Sequence, residues 1–120
     1  MGYYAFSTNT EFYLRKECVQ AAFDAIKKAS NTNLDANDFK DAMADYGFIV
    51  EADAEGNYDS LCFPDEKLYY AYIPLEAIAP YVKNGSSIEM IGEDGTMWRW
   101  LFRDGSCVEQ YAKEIIYEDI

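Results

Sequence analysis

The stretch Ser86-Ser87-Ile88-Glu89-Met90-Ile91, Gly92-Glu93-Asp94-Gly95, Thr96-Met97-Trp98-Arg99-Trp100-Leu101-Phe102-Arg103, Asp104-Gly105, Ser106-Cys107-Val108-Glu109-Gln110-Tyr111 decides the fold. Two turn signals bracket an aromatic run of alternating character. Asp-Gly between two such runs marks a two-residue hairpin, because both central residues of a type I′ turn need positive φ. The stretch therefore predicts a three-stranded antiparallel meander with residues 96–103 in its middle.

Successive side chains on a strand point to opposite faces. Trp98, Trp100 and Phe102 share one face with Thr96; Met97, Arg99, Leu101 and Arg103 share the other. A two-residue loop at Asp104-Gly105 sets Phe102 opposite Cys107, Trp100 opposite Glu109 and Trp98 opposite Tyr111. Burying one large aromatic is worth roughly 1.5–3 kcal/mol, so three on one strand pin its register to the core. Ile91 is expected on the same inner face. The face with Arg99 and Arg103 is then solvated or a contact surface.

Working outward, Tyr3 to Leu14 alternates as a long first strand, irregular near residues 7–10, with Tyr4, Phe6, Phe12 and Leu14 on one parity. Arg15 to Ala29 changes to helical period through Val19, Ala22, Phe23 and Ile26. A second helix is expected over about Ala36 to Tyr46, with Asp35 as N-cap, Asp38 three residues on, and Gly47 past its end. Residues 48–52 and 58–63 form a hairpin around an acidic turn. Leu68 to Ile73 reads as a tyrosine-rich strand, and a short helix starts at Pro74 and kinks near Pro80. The last strand is expected to run on through residues 112–117.

The order β-α-α-β-β-β-α-β-β-β indicates an α+β fold, a mostly antiparallel sheet or sheets with two to three helices packed on one face. At 120 residues the chain is expected to be a single domain, 1–120.

Composition narrows the function. The formal net charge is -12, and residues 51–68 carry six carboxylates against Lys67 alone. Such a chain is repelled by phosphate backbones and anionic membranes, so no nucleic acid and no membrane partner is expected. An acidic protein can instead occupy a basic site on another protein. There is no histidine, hence no Ser-His or Cys-His nucleophile and no common metal ligand of that type. No glycine-rich nucleotide motif is present. Paired carboxylates remain the one catalytic option. The reading is therefore non-catalytic, with no cofactor and no metal.

Glu51, Asp53, Glu55, Gly56 and Asp59 mimic a calcium loop, but its twelfth position would be Cys62 rather than glutamate, so an acidic hairpin turn is expected. Cys18, Cys62 and Cys107 are odd in number and widely spaced, which suits free thiols in a reducing compartment. No apolar run reaches the ~20 residues of a membrane span, and a cytoplasmic location is expected.

Two candidate binding patches remain. Arg99 and Arg103 share a strand face in an otherwise acidic chain; ordinary cross-strand charge pairing is the plain alternative, worth about 0.2–1 kcal/mol each. Tyr69, Tyr70 and Tyr72 are the second patch, with a half-exposed sheet face as the plain alternative. Arg and Tyr are enriched at interface hot spots. A protein partner is expected, with a homodimer through an exposed strand edge or the tyrosine face as one arrangement. An acidic inhibitor or immunity-type protein is the alternative, and a small carboxylate and tyrosine ligand-binding domain or enzyme the third.

The segments Pro74 to Val82, Ser87 to Gly95 and Trp98 to Gly105 resemble small uncharacterised acidic proteins of gut bacteria and their mobile elements. The resemblance covers the C-terminal half. It implies a phage- or plasmid-linked role and no site residue.

Overall fold

A computed structural model describes residues 3–30, 35–68 and 70–112. The elements run β1 (Tyr4–Glu11), α1 (Lys16–Ala29), α2 (Phe39–Asp45), β2 (Ile49–Ala52), β3 (Tyr58–Cys62), β4 (Glu66–Lys67), α3 (Tyr72–Ile78), a 3-10 turn (Ala79–Tyr81), β5 (Ser87–Gly92), β6 (Met97–Arg103) and β7 (Ser106–Tyr111). The fold is α+β, in the element order expected. Five strands form an antiparallel sheet in the order β4-β1-β5-β6-β7, and β2 and β3 form a separate two-stranded sheet.

The meander forms in the predicted β6–β7 register, with Trp98 opposite Tyr111, Trp100 opposite Glu109 and Phe102 opposite Cys107. Asp104 and Gly105 both have positive φ, 54° and 77°, as a type I′ turn demands. Trp98, Trp100 and Phe102 are buried, with Ile88 and Met90 of β5 beside them.

Ile91 departs from expectation. It pairs with Met97 on the outer face and is only half-buried. The cause is the loop. The Gly95 N–H donates to the Gly92 carbonyl at 2.9 Å, the Gly92 N–H donates to the Thr96 carbonyl at 2.8 Å, and Gly95 has φ 85°. This is a three-residue loop closed by a left-handed glycine, and its odd length shifts the pairing by one residue.

β1 splits the parity read from its sequence. Its register against β5 shifts between Ser7 and Asn9. Before the bulge the odd residue Ala5 faces inward and Tyr4 and Phe6 face solvent; after it Phe12 and Leu14 are buried. One extra residue is enough to turn every following side chain to the other face.

The tyrosine-rich strand does not form. β4 stops at Lys67, Tyr70 takes the left-handed φ of 47°, and α3 begins at Tyr72. A left-handed residue cannot continue a strand, and the Ile73 N–H turns back to the Tyr70 carbonyl at 3.0 Å. Pro74 is accommodated inside the first turn, where a missing N–H breaks no helical bond. Helix α2 starts later than expected: Asp38, not Asp35, is the N-cap, and its carboxylate accepts the Asp41 N–H at 2.8 Å. The expected continuation of β7 through residues 113–117 lies outside the described residues.

One apolar cluster joins the layers. Phe23 and Ile26 of α1, Phe39 and Met43 of α2, and Leu75 and Ile78 of α3 pack with the inner sheet residues. Phe48 bridges the two sheets, edge-on to Phe63 at 5.1 Å and to Trp100 at 6.4 Å. All three helices lie on the inner side, which leaves the other face of the five-stranded sheet without a helix among the described residues.

Candidate functional site

The outer sheet face follows from strand alternation. Residues paired across strands lie side by side on one face. Phe6 of β1, Ile91 of β5 and Met97 of β6 are successive partners and form an apolar row. Phe6 is 44% exposed and Met97 37%, and with Ile91 between them they are contiguous rather than scattered. The next row is polar: Asn9, Glu89, Arg99 and Gln110, again successive partners.

The polar row is internally bonded. The Asn9 amide donates to Glu89 Oε2 at 3.0 Å, and Arg99 Nε donates to Gln110 Oε1 at 2.6 Å. Among the described residues the ion pairs within 4.0 Å are Lys27–Asp24 and Lys40–Glu51, so neither arginine of β6 is held in one. Between the rows lies a shallow hollow of about 390 Å³, edged by Thr8, Glu89, Met97, Arg99, Gln110 and Ala112. Arg103 stands further along the same face, exposed and opposite Ser106 beside the turn.

The tyrosines occupy a different place. Tyr70 and Tyr72 are exposed, 64% and 53%, with rings edge-to-face at 6.4 Å. Tyr72 opens α3, which packs through Leu75 and Ile78 into the core on the inner side. The two predicted patches are therefore not one surface. Tyr69 lies outside the described residues.

The acidic turn has a structural role. Burial pushes the Asp53 carboxyl up, but the backbone N–H groups of Asn57, Glu55 and Gly56 outweigh it, and its affinity for a proton falls below the ordinary value. Asp53 Oδ1 accepts the Glu55 and Asn57 N–H groups, both at 2.9 Å. Asn57, thus held, accepts the Lys16 N–H at 2.9 Å and caps α1 from 41 residues away. No group of three cysteine, aspartate or glutamate side chains is placed to hold a metal ion among the described residues.

Three groups are held in their neutral form. Burial, with help from Glu76 and Glu109, pushes the Cys107 thiol up to about 12, so the thiolate is scarce at neutral pH. Burial, with the Asp38 charge, also raises Tyr58, and Glu109 raises Tyr111. These shifts disfavour ionisation of Cys107, Tyr58 and Tyr111.

Comparison with protein-family models, with curated proteins and with solved structures finds no match. Among the described residues no helix is long and apolar enough to cross a membrane. The open face is the feature that sequence reasoning located only in part. Arg99 and Met97 were legible from strand parity; Phe6 was not, because the bulge at residues 7–9 leaves no signal beyond a local loss of apolar residues.

Proposed function

We propose that this chain is a small cytoplasmic, non-catalytic domain that binds another protein through the outer face of its five-stranded sheet. One observation carries the reading: the row of exposed Phe6, half-buried Ile91 and exposed Met97 lies beside the Arg99 row on a face that no described helix covers. An apolar stripe flanked by an arginine and amides has the composition of an interface centre with its polar rim. Exposed tyrosines at the start of α3 offer a second contact area. The phage- or plasmid-linked setting that the resemblance implies is compatible with such a role.

The test is affinity capture from a lysate of the native host with the wild-type chain and with Met97→Glu. Loss of the captured protein in the variant, with circular dichroism unchanged, supports the reading. Equal capture by both, or no partner at low or high salt, overturns it.

A second reading is an inhibitor or immunity-type protein whose acidic surface occupies a basic groove. The net charge of -12 and the exposed Glu51, Glu55 and Asp59 of the β2–β3 hairpin favour it. Capture that survives Met97→Glu but fails at high salt selects this second reading.

A further inference from the structure

The five-stranded sheet ends differently on its two sides. On one side β4 is two residues long, which leaves little edge to pair with. On the other side β7 runs six residues, Ser106–Tyr111, without lysine, proline or bulge. Sheet edges are usually protected by those devices, by a charge or by a covering element; among the described residues β7 has only the charge of Glu109, on the Trp100 face, and its edge is otherwise open to pairing.

The backbone of β7 shows which groups are free. In an antiparallel ladder, alternate residues exchange both bonds with one neighbour and point the remaining groups away. The two-residue loop makes Arg103 and Ser106 a bonded pair, and the Ala112 N–H donates to the Met97 carbonyl at 3.0 Å. Ser106, Val108, Gln110 and Ala112 therefore bond to β6. Cys107, Glu109 and Tyr111 turn their N–H and C=O groups outward, where they meet no partner among the described residues.

We propose that β7 is a strand-addition site for an extended segment of a partner protein that places a lysine or arginine opposite Glu109. Main-chain bonds to Cys107, Glu109 and Tyr111 supply affinity, and the flanking side chains supply selectivity. Charge argues for the cation. Glu109 is the one charged side chain on β7, and Glu76 of α3 acts with it on the neighbouring Cys107. A second copy of this chain would bring another -12 to the same edge, which disfavours a homodimer there. The proposal rests on the protein-binding reading and adds the sheet edge to the sheet face as a contact.

The test is amide hydrogen exchange on the full-length chain with a synthetic peptide of alternating threonine and valine around one lysine, and with its glutamate counterpart. The expected result is slowing of the Cys107, Glu109 and Tyr111 amides by at least about tenfold with the lysine peptide, while Val108 and Gln110 stay as protected as before. Glu109→Lys should invert the preference between the two peptides. Glu109→Pro should abolish both, since it deletes an outward N–H and leaves the β6 ladder intact.

Absence of slowing at the three amides overturns the proposal. If a partner nonetheless perturbs the Met97 methyl and Arg99, the sheet-face reading stands and only the edge falls. Slowing without peptide that rises with protein concentration assigns the edge to a second copy. Slowing in dilute protein that disappears on truncation after Ala112 assigns it to the chain's own end. Either result contradicts a partner strand.

Discussion

The Tyr3 hydroxyl donates a hydrogen bond to the Asp94 carboxylate, and the ring that carries it lies over Gly92. A methyl group at position 92 would overlap that hydroxyl. This contact ties the start of the chain to the β5–β6 loop. The hydrogen bond with Asp94 raises the Tyr3 phenol, and the same bond lowers the Asp94 carboxyl.

The sign of the pH dependence follows. A depressed carboxyl gives stability that is present above its unfolded value of 3.8 and is lost as pH falls through the lower folded value. A raised phenol gives stability that is present below 10.0 and is lost as pH climbs through the higher folded value. Tyr3→Phe should therefore lower the melting temperature at neutral pH, and the deficit should shrink in acid. Melting curves of both proteins across that range check it; a deficit that persists after Asp94 is protonated contradicts the contact. Gly92→Ala should also destabilise, and Gly92→Ala with Tyr3→Phe should lose less than the two single effects together.

Trp100 touches Phe48 and Trp98 on the inner face, and Arg99 next to it in sequence lies on the outer face. Trp100→Ala should cost about 3–5 kcal/mol. Arg99→Ala should stay within about 0.5 kcal/mol. Denaturant unfolding of the two variants measures both, and similar losses would contradict the inward orientation of the indoles.

Asn57 caps α1 through the Lys16 N–H, so Asn57→Ala should cost about 1 kcal/mol. The loss should fall on α1 first, seen as faster amide exchange at Lys16 and Glu17 with the β6–β7 amides unaffected. Uniform acceleration across the chain would contradict a capping role.

The thiols should separate kinetically. Cys62 is exposed, whereas the thiol of Cys107 is half-buried and pushed up to about 12. At mildly alkaline pH a maleimide or disulfide reagent should label Cys62 quickly and Cys107 at least about tenfold more slowly. Peptide mapping of the labelled sites gives the answer, and labelling of Cys107 as fast as Cys62 in the native protein would contradict its raised thiol.

The meander was legible because its determinants are local. Asp104-Gly105 carries its own turn geometry, and three aromatics at alternate positions leave one choice of register. What escaped reading depends on single residues in the left-handed region or on distant contacts. Gly95 lengthens its loop to three residues and so moves Ile91 outward. Tyr70 adopts positive φ although nothing in a tyrosine side chain announces it. The bulge after Ser7 puts Phe6 on the outer face although it shares parity with the buried Phe12, and the Asn57 cap links positions far apart in sequence. The insertion of β1 between β4 and β5 is likewise a long-range pairing without a local mark.

The most direct measurement places a photo-crosslinking amino acid at position 97 in the native host, with position 28 on α1 as the control. A partner bound to the outer sheet face should give one discrete adduct from position 97 that Phe6→Asp abolishes, and none from position 28. The same adduct from both positions, or from position 28 alone, would contradict binding through that face.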